Sequence, residues 1–121
     1  MSEHERRLRS LSVNDEAALA SLLGTRTDSD EFSGLNAKTR ALVRLGAVVV
    51  LGASPVTYQW ATEVALAAGA TDDEIVGTLI AVAPVVGVTR AVSAAPELAI
   101  ALGCDIDEAL EGVGTARGGD V

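Results

Sequence analysis

Residues 36–51 read NAKTRALVRLGAVVVL, and whether the last seven of them form a strand or a helix decides the fold class. The β-branched run Val48-Val49-Val50 suits a strand, but Leu42, Leu45 and Val49 recur at the helical period and Asn36 stands upstream as an N-cap. The spacing predicts a helix over 37–51. It carries Lys38, Arg40 and Arg44 in its first half and ends apolar on every side.

Downstream, Ser54-Pro55 pairs a capping hydroxyl with a proline suited to the first helical position, and Gly69 suits the residue just past a helix end. In the helix between them, Val56, Trp60, Val64 and Ala67 form the expected apolar stripe. Thr71-Asp72-Asp73-Glu74 is a capping box, with the threonine accepting from the third amide and the glutamate reaching back. It opens a helix from 72 to about 86, which Pro84 kinks or stops before Gly87. A helix over 89–102, bent or broken at Pro96, and a short one over 106–111 complete this half.

Upstream, Asn14 or Asp15 caps a helix through Leu23 that ends at Gly24, and the Thr-, Asp- and Ser-rich residues 25–35 read as a loop. The expected fold class is all-α: a compact bundle of about six helices. The expected organisation is a single domain over 14–112, between a flexible arm at 1–13 and a disordered glycine-rich tail at 113–121.

The formal net charge of −8 argues against nucleic acid as a partner, since phosphate binding needs a clustered basic surface. Only Arg6, Arg7 and Arg9 cluster, among acids in the arm. The first ten residues lack an apolar stretch, so no signal peptide is expected and the cytoplasm is the expected location. The uncharged stretch 45–62 is interrupted by Gly52, Ser54 and Pro55, and 75–89 is shorter than the roughly 20 residues a bilayer requires, so no membrane span is expected.

Cys104 is alone and reads as a small buried residue, and His4 reads as a solvated surface residue of the arm. With no other cysteine or histidine, no metal site is expected, and the Gly-x-Gly at 112–114 lacks the strand and helix of a phosphate loop. No cofactor is expected.

Residues 45–51 and 79–88 are apolar all round, and a domain this small cannot surround two such helices. Burial against copies of the same chain is the expected outcome.

The runs LNAKTRALVRLGAVVVLGAS (35–54) and WATEVALAAGATDDEIVGTLIAVAPVVGVTRAV (60–92) resemble the carboxymuconolactone decarboxylase and alkylhydroperoxidase-D-like superfamily over about 35–102. The most specific matches are 35–40, 65–75 and 83–88. The resemblance implies an all-helical fold assembled as trimers or hexamers. In the peroxidase branch a CxxC pair opens the helix that ends at the AGAT-like turn, and a histidine follows four residues later. Counting back from Gly69 places Ser54, Thr57 and Ala61 there, and Ala41 or Leu42 falls where that branch carries a helper glutamate. The decarboxylase branch keeps the histidine as a proton donor, so Ala61 also departs from its pattern.

Peroxidase chemistry needs a low-pKa thiolate and a resolving thiol, which serine and threonine hydroxyls do not replace. The charges left in apolar sequence are Arg44, Glu63 and Arg90, each costly unless paired or hydrated. One reading makes them ion pairs that fix helix register, within or between subunits. The other makes them a pocket, in which arginine holds a carboxylate by bidentate hydrogen bonds, Glu63 serves as general base, and Tyr58 contributes a hydroxyl. Trp60 reads as core or interface packing. Two functions are therefore expected to compete: a non-redox enzyme or binder of a small organic acid or lactone at Arg44, Tyr58, Glu63 and Arg90, and a non-catalytic assembly protein that keeps the fold.

Overall fold

The computed structural model describes residues 1–23, 30 and 33–104, and nothing in them is a strand. Six helices span them: α1 Glu3–Ser12, α2 Glu16–Leu23, α3 Ala37–Leu51, α4 Pro55–Ala67, α5 Asp72–Val86 and α6 Val88–Ala101. The all-α class is thus the observed one. Among the described residues no helix is long and apolar enough to cross a membrane. The chain divides into two compact units, residues 1–37 and 38–121.

In the first unit, the residues expected as a flexible arm form α1. Its cause is a capping box: Ser2 Oγ accepts from the Glu5 amide and Glu5 Oε2 accepts from the Ser2 amide, both at 3.3 Å. Glu3 then pairs with Arg6 at 3.4 Å and Arg7 at 3.3 Å, one turn along the same face. Arg7 also donates to the Ser33 carbonyl at 3.5 Å, so this stretch is tied to the rest of its unit. Asn14 takes a positive φ of 55° between the helices, and Asp15 Oδ1 caps α2 by accepting from the amides of Ala17 and Ala18.

Most of the expected loop at 25–35 lies outside the described residues, as do Gly24, the helix expected at 106–111 and the tail at 113–121. Asp30 and Ser33, within the expected loop, are helical, and Ser33 Oγ donates to the Asp30 carbonyl at 2.8 Å.

In the second unit, α3 has the bounds its periodicity predicted, and Ala41, Leu45 and Val49 enter the core. Ser54 caps α4, accepting from the Thr57 amide at 3.4 Å. The buried face of α4 differs from the expected stripe. Tyr58, Ala61, Thr62 and Ala65 are buried, whereas Val56 and Ala67 are exposed, Val64 is half-buried and Trp60 is 43% exposed. The smaller face packs inward because α6 lies against α4, and alanines permit close helix approach. Trp60 is therefore not a core residue of this chain.

The Thr71 box at α5 is formed in both directions, at 3.1 Å and 2.9 Å, and Glu74 Oε2 pairs with Lys38 Nζ at 3.0 Å. The Thr71 backbone amide, followed by the Lys38 ammonium, holds the Glu74 carboxyl below its usual range. Pro84 lies inside the last turn, and α5 runs on to Val86. Gly87 alone joins α5 to α6, at φ 98° and ψ 145°, backbone that a residue with a Cβ rarely adopts. Pro96 neither breaks nor ends α6. The bond it forgoes is to the carbonyl of exposed Val92, which water can serve. Gly103, at φ 76°, follows the end of α6, and Cys104 beyond it is exposed rather than buried.

Candidate functional site

The turn after α3 and the start of α6 frame a cleft of ≈ 670 Å³. Gly52 and Ala53 form one wall, residues 86–90 another, and Tyr58, Ser93 and Glu97 complete the lining. Gly52 ends α3 at φ 67°, its amide donating to the Val48 carbonyl at 3.1 Å. A Cβ there would collide with the Arg90 guanidinium, so Arg90 lies directly over Gly52. The placement suits a cation, because the carbonyls at the end of α3 carry partial negative charge.

The start of α6 is the opposite pole. Its N-cap is Gly87, which offers no side chain, and its first turn, Val88-Thr89-Arg90, carries no acid. The first amides of a helix lack intrahelical partners and favour negative charge. Residues 87–90 line the cleft, and for exposed Arg90 the described residues provide no carboxylate partner. Tyr58, on α4, is 4% exposed and lines the same cleft, and none of the described residues hydrogen-bonds its hydroxyl. The Tyr58 hydroxyl is not among the buried side-chain atoms left without a partner, and on the cleft wall it can meet water or a ligand.

Of the four candidate residues, the structure brings Tyr58 and Arg90 together across 32 positions of sequence. Arg44 is half-buried on α3, and it does not line this cleft. Glu63 is exposed on α4 and accepts from Gln59 Nε2 at 3.3 Å, also outside it. The carboxylate that does line the cleft is half-buried Glu97, with Ser93 between it and Arg90. Arg90, Ser93 and Glu97 stand at i, i+3 and i+7, one face of a helix, and that spacing is the sequence signal for them.

Ser54, Thr57 and Ala61, where the resemblance would place the relatives' chemistry, do not line the cleft. Ser54 Oγ and Thr57 Oγ1 are 3.1 Å apart at the start of α4, and Ala61 is in the core. Among the described residues no three metal-binding side chains converge.

The family model described as the carboxymuconolactone decarboxylase family matches residues 16–101, reaching further toward the N-terminus than the resemblance in the sequence. No curated protein and no solved structure matches the chain.

Proposed function

The chain belongs to the carboxymuconolactone decarboxylase family, and from that premise we propose that it is a non-redox member that holds a small organic acid or lactone in the cleft at the start of α6. The observation that carries this reading is the meeting of Arg90, the first turn of α6 without a side-chain cap, and Tyr58 in one cleft. Arginine and unpaired amides are complementary to a carboxylate, and a tyrosine hydroxyl donates to or accepts from a neighbouring oxygen. Thiol peroxidation finds no support in the residues: the one cysteine, Cys104, lies past α6, and Ser54 and Thr57 occupy the paired-thiol positions. Glu97 is the carboxylate available for proton transfer to or from a bound molecule.

A second reading, assembly with copies of the same chain, is favoured by a separate observation. Ile80, Val85, Val88 and Val92 are exposed on α5 and α6, Val85 to 86%, together with Val56 and Trp60 on α4. Exposed apolar side chains on α4, α5 and α6 are what an interface between copies would cover. The two readings are compatible, because Val88 both lines the cleft and belongs to the exposed set.

Calorimetric titration with hexanoate tests the first reading: the wild type binds, and Arg90→Ala, whose site is exposed and which leaves the helical spectrum unchanged, loses the heat of binding. Equal binding by both proteins overturns it. Light scattering tests the second: the wild type has the mass of several copies, and Val85→Glu with Val92→Glu shifts it to one. A wild type of single-copy mass overturns assembly.

A further inference from the structure

The cleft is two-ended. Arg90 and Glu97 line it from the same face of α6, seven residues apart, which is about 10 Å along a helix. Neither is paired with the other, since no ion pair joins them and the described residues give neither a hydrogen-bond partner. A cation and an anion placed in one cleft without touching select a ligand with complementary ends. The positive end combines Arg90 with the uncapped turn of α6, and an anion there gains from both. The negative end is Glu97, half-buried, with the Ser93 hydroxyl on the same face. A carboxylate accepts hydrogen bonds only and repels a second carboxylate.

Taking the organic-acid reading above as its premise, we propose that Glu97 is a specificity-determining residue. It selects monocarboxylates that carry a hydrogen-bond donor, a hydroxyl or an ammonium group, at the end remote from the carboxylate, and it rejects dicarboxylates. The selection is electrostatic. A donor facing Glu97 replaces a water lost on binding, a methyl group leaves the carboxylate unpartnered, and a second carboxylate adds like charge.

The test uses four six-carbon probes of matched length: hexanoate, 6-hydroxyhexanoate, 6-aminohexanoate and adipate, each titrated calorimetrically into the wild type, Glu97→Gln and Arg90→Ala. The wild type is expected to bind the hydroxy and amino acids roughly tenfold more tightly than hexanoate, and adipate most weakly; tenfold is the effect of one well-formed charge-assisted contact. Glu97→Gln is expected to lose the preference for the amino acid over hexanoate and to improve on adipate by about tenfold. Arg90→Ala weakens all four. Wild-type hexanoate binding that depends on Arg90, with no preference among the four probes or with a preference that survives Glu97→Gln, overturns the role of Glu97 and leaves the organic-acid reading standing. Failure of all four to bind, or binding indifferent to Arg90, overturns both.

Discussion

Two helices of this chain begin sixteen residues apart and begin in opposite ways. At α5 the first turn is closed by its own side chains: Thr71 and Glu74 satisfy each other's amides, Asp72 and Asp73 add negative charge, and Lys38 neutralises Glu74. At α6 the cap is a glycine, the first turn holds no acid, and the charge nearby is Arg90. The same partial positive charge exists at both ends. In α5 it is already answered from within the chain, whereas in α6 it faces a cleft with Arg90 and Tyr58 on its walls. The proposed anion site thus rests on a withheld cap as much as on a supplied arginine.

The contrast can be broken from either side. The largest effect is expected at Arg90: Arg90→Ala should weaken binding of a monocarboxylate by tenfold to a hundredfold, on the order of 1.5–3 kcal/mol, as measured by calorimetry. Next is Gly52→Ala, which places a Cβ at a φ of 67° and against the Arg90 guanidinium. Urea unfolding should show a loss of about 1–2 kcal/mol, with weaker carboxylate binding because Arg90 is displaced. Thr71→Ala should cost about 1 kcal/mol by the same assay and create no anion binding at α5, since Asp72 and Asp73 remain.

The smallest effect is acid dependence at the closed start. The folded-state pKa of Glu74 is lowered, chiefly by the Thr71 amide, so its contribution is complete above the unfolded carboxylate value of about 4.3 and is lost as pH falls through the lower folded value. Urea midpoints measured downward from pH 5 should fall less steeply in Lys38→Met than in the wild type.

The closed start was legible in the sequence and the open one was not, for a physical reason. A capping box is local: Thr71 and Glu74 make each other's bonds three residues apart, so the string itself holds both partners. Helix bounds at Ser54, Gly69 and Ala37–Leu51 were readable in the same way. At α1 Ser2 and Glu5 form the same box, equally local in the string, within a segment whose dense charge suggests an arm. The cleft depends on Gly52 and Tyr58 meeting α6, which no short window contains.

Which face of α4 is buried was illegible for a different reason. Val56 and Trp60 are as apolar as the residues that pack, and hydrophobicity alone does not rank faces when most of a helix is apolar; the fit of Ala61 and Ala65 decides. Of the candidate site, Arg90 is marked in the sequence as a charge isolated among apolar residues, and Tyr58 as a hydroxyl in the first turns of α4. Glu63 does not line this cleft, whereas Glu97, which shares a helix face with Arg90, does.

Chemical-shift mapping with ¹⁵N-labelled protein and hexanoate addresses the comparison most directly, because it reads both helix starts in one sample. The amides of Val88, Thr89 and Arg90 should move in a saturable way, while those of Asp72, Asp73 and Glu74 stay in place. Saturable shifts at Asp72–Glu74, or none at Val88–Arg90, would contradict the account.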